Sequence, residues 1–566
     1  MKEENAVTTE KAKTGKGSFE KTIKKVGKEM AGHQADPKQI ETVYELEQII
    51  LDLAHKYATY FHNPDSDAYA SITMDGKRLN LMVQSNNFKN WLNMLFYKHM
   101  GKPAMPSLLK RTMSQLEAEG MYDGPQLPIH VRSAEDEGVI YIDLCDSQLR
   151  QVRIDKRGWE VISSVDSPIR FIQPRGMLAL PIPTRNGSIA EFRKFLNIDH
   201  DDDFILVVSW ILKAMTPSGP YPVMVLQGEQ GSSKTTTARM LRSLTDPSSV
   251  PSQAFSRSDR DLMITAGNSW VLSFDNISLI KDLMADSLCR ISVGGGLRIR
   301  KIRSDNNEEL FSFSRPIILN SIDEIVDRHD LSDRALFINL QTMPDTERKP
   351  EDEFWREFEA VRSSILGGFY DAISAGLRNY SVVTFDKLPR MADFAKFVVA
   401  AEPVLPWEPE MFMTAYEENR NQVIESALEA DIVAWVVMQF ISKQDKAWSG
   451  TPTKLKNVLD DYAAQCGWKR ADWPKAPNAL SNRLRRAKGF LKKKNILIER
   501  AKSGNRMITI SKLDQPAGLP GTHEIEKGQK SKGIASAELA SDESKAFEQQ
   551  FGVENKGEVE YGEGEI

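Results

Sequence analysis

Between Val223 and Met240 an apolar strand pattern runs into a turn containing Gly228 and Gly231, and then into a helix that opens on Lys234 and Thr235. That order sets a strand and a helix side by side with the turn at the strand's carboxyl end, so the surrounding chain is committed to an α/β core. Backbone N–H groups from Gly228 to Lys234 would point into one concavity, and the helix N-terminus adds partial positive charge. A nucleotide phosphate is the fitting guest. The candidate cradle is Gly228, Glu229, Gln230, Gly231, Ser232, Ser233, Lys234, Thr235 and Thr236, with Lys234 reaching the outer phosphates of ATP and Thr235 holding magnesium (Mg2+). Ser233 stands where a glycine is usual, and adds a side chain where backbone and phosphate approach closely.

At 566 residues the chain has room for several domains, and its net charge of −5 makes any nucleic-acid surface a local patch. Cys145, Cys289 and Cys466 are far apart, which argues against a disulfide framework or a structural zinc site and fits a reducing compartment. No apolar run of about 18 residues occurs, so a cytoplasmic protein without a membrane partner is expected. Residues 1–38 are polar and are expected to form a disordered arm. Residues 514–566 read as a disordered acidic tail; the stretch 541–566 holds eight acidic and two basic side chains, suited to competing with DNA for a basic surface or to recruiting a partner.

Residues 39–187 mix helical spacing, as in Phe88, Trp91, Leu92, Leu95 and Phe96, with alternating strands, as in Val139 to Leu144, and predict an α+β N-terminal accessory domain. Its acidic residues Asp143, Asp146 and Asp155 read as strand-end and turn carboxylates rather than as a metal pair, since no second acidic motif completes a site. The ATPase core is expected over 188–345. Forty-one residues after Lys234 an apolar strand ends in Asp275, a second magnesium-organising carboxylate, followed by Asn276, which can orient water but cannot take its proton. A further strand ends in Asn320, suited to bonding between the outer phosphate and attacking water. Arg334 follows, with Arg328 in reserve, as an arginine that would reach a neighbouring subunit's nucleotide. Between the second and third strands a hairpin carries Arg298, Arg300, Lys301 and Arg303, which could grip the phosphates of a single strand.

Taken together, Gly228 to Thr235, Val271 to Asn276, the basic segment Gly294 to Arg303, and Ile317 to Asn320 followed by Arg334 resemble superfamily 3 helicases, ring motors of the AAA+ class, and most closely their phage and prophage primase-helicase branch. The resemblance covers roughly residues 205–345. It implies a hexamer, ATP between subunits and movement along one DNA strand.

Residues 346–445 are expected to form a helical lid and connector. Over 446–513 two helices, a strand, a turn and a second strand resemble a winged helix. From Arg483 to Arg506 there are ten basic residues and one acidic, and Arg483, Arg485, Arg486, Lys493, Lys502 and Arg506 are the candidate duplex contacts. The fold expected is thus an α/β P-loop NTPase core with an α+β N-terminal domain and a C-terminal winged helix. The function expected is an ATP-dependent, ring-forming DNA helicase or translocase in replication of a prophage or mobile element, with a primase or replisome partner. An ATP-controlled DNA-binding assembly, acting as a loader or defence switch, is the alternative.

Overall fold

A five-stranded parallel sheet built from β8 (Val223–Gln227), β9 (Gln253–Ala254), β10 (Leu272–Ile277), β13 (Ile317–Ser321) and β14 (Ala335–Asn339) organises the fold, in the order β14-β8-β13-β10-β9. Side chains alternate between the faces of a strand, and here both faces are apolar. Met224, Leu226, Ile318, Leu336 and Ile338 enter one core, whereas Val223, Val225, Leu272, Phe274, Ile317, Leu319 and Phe337 enter a second. The computed structural model describes residues 37–512 except 257, 278–279, 281, 296, 301–307, 312, 322–328, 345, 347, 445, 466–472 and 501–506. The expected arm (up to residue 36), the acidic tail, Lys301, Arg303, Arg328, Lys502 and Arg506 lie outside the described residues. All described residues belong to one compact unit.

The first core is closed by α4 (Asp201–Ala214), α5 (Lys234–Thr245), α9 (Glu351–Asn379) and α10 (Ala392–Ala401). Apart from Ser209 and Lys213, helix α4 is apolar on every side from Phe204 to Ala214 and is buried there, as such a composition requires. The element before it, Ile189–Phe195, is a 3-10 helix.

The N-terminal region divides in two. Helices α1 (Pro37–Tyr57), α2 (Asn86–Met100) and α3 (Pro106–Tyr122) cover the sheet of β1 (Ala58–His62), β2 (Ala68–Met74) and β3 (Lys77–Met82) with a separate core that includes Ile50, Ile72, Phe88, Leu92 and Leu116. The meander β4 (Ser133–Asp136), β5 (Val139–Asp143), β6 (Arg150–Asp155) and β7 (Gly158–Ser163) instead shares the first core of the parallel sheet. Trp159 Nε1 donates to Asp371 Oδ1 on α9 at 2.9 Å, and Ser374 Oγ donates to the Asp155 carbonyl at 2.6 Å. Packing is therefore continuous across residue 187, where a domain boundary was expected.

The second core runs from α6 (Asp259–Asn268) and α7 (Asp282–Val293) into α12 (Ile432–Ser442), α13 (Pro452–Gln465) and α14 (Pro477–Lys493), and on to the antiparallel sheet β15 (Trp448–Gly450), β17 (Ile508–Lys512) and β16 (Ile496–Arg500). Val433, Val437 and Ile441 of α12 pack with Leu455, Leu480 and Ile510. The expected boundary at 446 thus divides one packed unit, because α12 is its first helix rather than the end of a connector. The short helix α8 (His329–Ser332) precedes β14, and helix α11 (Met411–Ala430) leads into α12.

One buried carboxylate ties these layers. Asp246 Oδ1 accepts from Arg132 Nε at 3.1 Å, its Oδ2 accepts from the Trp270 and Val271 N–H groups at 3.0 and 3.2 Å, and Arg242 Nη2 lies 3.8 Å away. Arg132 spends its other donors on the Asp143 and Leu178 carbonyls, both at 2.8 Å. Removing one partner of a buried pair leaves uncompensated charge, so Asp246→Ala should cost about 3–5 kcal/mol. The partly exposed pair of Arg111 with Glu47 should contribute at most about 1 kcal/mol. Urea denaturation of both variants checks this; equal losses would remove the hub role.

Candidate functional site

Three strands and one helix converge at the carboxyl edge of the parallel sheet. Strand β8 delivers Gly228, and helix α5 opens on Lys234. Gly228 has φ +146°, and any Cβ there would collide with the Leu340 carbonyl. Gly231 has φ +86°. Ser233, the N-cap of α5, sits in the left-handed region at φ 65°, ψ 21°, which explains why glycine is usual at this position.

Lys234 Nζ donates to the Gly228 carbonyl at 2.7 Å, the Glu229 carbonyl at 2.6 Å and Ser232 Oγ at 3.2 Å. Burial holds its pKa below the usual lysine range, against the opposing pull of Asp275. Thr235 Oγ1 donates to Asp275 Oδ2 at 3.2 Å. The buried Asn320 donates through Nδ2 to Asp275 Oδ1 at 2.6 Å and to Thr235 Oγ1 at 3.3 Å. Strand β13 lies between β10 and β8, whose loop leads into α5, which is why Asn320 can reach both Asp275 and Thr235. Asn276 takes φ 55°, a conformation asparagine tolerates, and its N–H donates to Asp275 Oδ1 at 2.8 Å. Glu229, Gln230 and Gly231 are exposed at the loop's tip, and Thr236 is half-buried on the first turn of α5.

A hydroxyl and a carboxylate beside a helix N-terminus and a lysine suit magnesium, which takes few protein ligands and completes its shell with water and phosphate oxygens. Thr235 and Asp275 fit that requirement. The N-terminal carboxylates do other work: Asp146 accepts from Arg150 Nε at 2.7 Å, Asp155 from the Arg157 N–H at 2.8 Å, and Asp143 from the Cys145 N–H at 3.1 Å. Burial pushes the Asp143 pKa up. Among the described residues no group of three or more His, Cys, Asp or Glu could hold a metal ion.

Arg334 is not brought to this cradle. Its carbonyl accepts from the Val223 N–H at 2.9 Å, at the start of β8, whereas the loop that begins at Gly228 leaves the other end of that strand, about 17 Å away at strand rise. Residues that the strand patterns did not signal do border the loop. Asn197 Nδ2 donates to the Gln341 carbonyl at 2.5 Å and to the Ser232 carbonyl at 3.5 Å, Thr342 Oγ1 donates to Glu229 Oε2 at 3.2 Å, and the Arg348 guanidinium lies beside Gly231.

The expected basic hairpin is present as β11 (Leu297–Arg300) and β12 (Glu308–Phe311), antiparallel, with Arg298 opposite Leu310 and Arg300 opposite Glu308. On α14, Arg485 and Arg486 are exposed. Three cations of that region pair with carboxylates instead. Arg483 Nε lies 3.8 Å from Asp431, Lys493 Nζ donates to Asp333 Oδ1 at 2.5 Å, and Lys494 pairs with Glu425 on α11. Arg483 and Lys493, expected as duplex contacts, thus also tie α14 to neighbouring segments. Among the described residues no helix is long and apolar enough to cross a membrane.

Residues 189–404 match the family described as Actinomycete integrative conjugative element replication protein, and residues 433–527 match the AICE RepA C-terminal domain. The second match begins one residue inside α12, in agreement with the packing. No curated protein matches the chain. Among solved structures, the A form apo structure of the NrS-1 C-terminal region is similar at 11% identity and a TM-score of 0.35, covering 83% of this chain and 98% of that one. A second apo structure of the same region gives 10% identity and a TM-score of 0.34 over the same shares.

The left-handed cap makes a stability test direct. Ser233→Gly should stabilise the chain by about 0.5–1 kcal/mol, because relief of the strained φ outweighs the added freedom of the unfolded state. Chemical denaturation measures it; a destabilised variant would contradict the strained cap.

Proposed function

For this replication protein of a mobile-element family, we propose an ATP- and magnesium-dependent motor that moves on DNA, with the loop from Gly228 to Thr236 as its nucleotide cradle. The observation that carries the reading is the junction of Thr235, Asp275 and Asn320 at the ends of α5, β10 and β13, next to Lys234. Bound magnesium would neutralise charge on the transferring phosphoryl group. Lys234 then leaves the loop carbonyls for the outer phosphates, and Asp275 is oriented for the metal by the Asn276 N–H and the Asn320 amide. Asn320 would turn from that carboxylate toward the attacking water. Asn276 offers an amide and no base, so proton removal falls to solvent or to an exposed carboxylate such as Glu229.

The distance of Arg334 from its own cradle supports a role at a neighbour's nucleotide, and hence a closed ring, for which the family resemblance gives six subunits. Single-stranded DNA would run past the hairpin of β11 and β12. The C-terminal unit, whose three helices and three-stranded sheet support a winged helix, would meet duplex DNA through Arg485 and Arg486. A primase or another replisome protein is the partner this role calls for. One observation favours the slower alternative, an ATP-controlled assembly: Lys234 is bonded to the carbonyls of its own loop, so nucleotide entry must displace those bonds.

Two measurements separate the readings. Steady-state ATP hydrolysis should rise several-fold with single-stranded DNA and fall to background in Lys234→Ala; ATP binding with a flat, near-background rate would replace the motor by the switch. Arg485→Gln with Arg486→Gln should flatten the dependence of log affinity for duplex DNA on log salt by about 1.8, two phosphate contacts' worth. An unchanged slope would exclude that face.

A further inference from the structure

Beyond β14 the chain does not leave the cradle but runs along it. The Leu340 N–H donates to the Gln227 carbonyl at 2.8 Å, and the Leu340 carbonyl closes over Gly228. Asn197 ties the Gln341 carbonyl to the loop at Ser232, and Thr342 holds Glu229. Three successive residues, Leu340, Gln341 and Thr342, are thus fastened along the stretch from Gln227 to Ser232. The chain returns to the loop at Arg348, whose Nη2 lies 3.2 Å from the position a Cβ on Gly231 would take. Immediately afterwards the path is fastened again: Lys349 pairs with Glu357 at 2.8 Å, and Glu351 at the start of α9 pairs with Arg239 of α5. The Arg239 guanidinium also lies over the Trp355 ring at 4.8 Å. Fastening on both sides sets an exposed guanidinium at Gly231 of the loop that leads into the helix opening with Lys234.

A planar fork of donors in that place suits the oxygens of a phosphate. Gly231 is also the loop position where a side chain would occupy the space the guanidinium uses. We propose that Arg348 is a phosphate-binding residue of the cradle, contacting the outer phosphates of a nucleotide held by its own subunit and linking their presence to α9 through the pairing of Glu351 with Arg239. This assignment rests on the nucleotide reading of the loop. It differs from the role of Arg334 in acting within one chain, so it operates in a monomer as well as in a ring. It also gives the cradle a second cation at its tip, where Lys234 supplies one beneath.

The test is equilibrium binding of a fluorescent, non-hydrolysable ATP analogue and of the matching ADP analogue, with magnesium, to the full chain at a concentration where it is monomeric. Wild type, Arg348→Ala, Arg348→Lys and Lys234→Ala are compared, and thermal melting confirms folding, which an exposed side chain should not disturb. Arg348→Ala should weaken the triphosphate about tenfold, equivalent to about 1.4 kcal/mol, with a smaller loss for the diphosphate and partial recovery in Arg348→Lys. Unchanged affinity for both nucleotides, or an equal loss for both, overturns the assignment while the cradle stands, provided Lys234→Ala has lost binding. If wild type binds neither nucleotide above the level of Lys234→Ala, the cradle reading fails and this assignment fails with it.

Discussion

Helix α5 and strand β10 are pinned to each other at both ends, and the geometry of the cradle depends on it. At the helix start Thr235 bonds Asp275, and just past the helix end Asp246 accepts the N–H groups of Trp270 and Val271. Eleven helical residues from Thr235 to Asp246 span about 16 Å, and the strand from Val271 to Asp275 spans about 13 Å, so the two paths are of similar length. Neither element can slide along the other without breaking a buried bond. Arg132 brings the N-terminal meander to the same carboxylate, so the meander braces the parallel sheet rather than hanging from it. With both faces of the parallel sheet buried, its carboxyl edge is where polar groups meet the surface, and Lys234, Thr235, Asp275 and Asn320 gather there.

The parts of this arrangement carried by local pattern were legible from the sequence. Strands that end in Asp275 and Asn320, and a helix that opens on Lys234, announce themselves because apolar alternation stops at a polar residue. The reason for Asn276 was not legible, since it depends on a positive φ that only the folded turn displays. The path from Leu340 to Arg348 and its tie to Asn197 left no mark either, because the partners lie up to 144 positions apart and no periodicity records them. The same holds for Trp159 and Asp371, separated by 212 positions, whose contact joins the meander to α9. Helix α12 was assigned to a connector because an apolar helix gives no sign of which unit will bury it.

The C-terminal unit combines two kinds of cation on one helix. Arg485 and Arg486 are exposed, while Lys493 and Lys494 at its end are held by Asp333 and Glu425. Asp333 directly precedes Arg334, and Arg420 Nη2 of α11 lies 3.9 Å from the same carboxylate. The turn that carries the arginine is therefore gripped from the C-terminal unit, far in sequence from the cradle.

A cation can serve only one anion at full strength. If DNA phosphates draw Lys493 away from Asp333, the free energy of that exchange is shared: whatever factor the docked arrangement takes from DNA affinity, bound DNA takes from docking. The grip on the turn before β14 then becomes a balance whose position varies with ionic strength, because phosphate contacts weaken with salt more steeply than a partly buried pair does. Low salt would tilt the helix toward nucleic acid, and high salt would return it to the turn before β14.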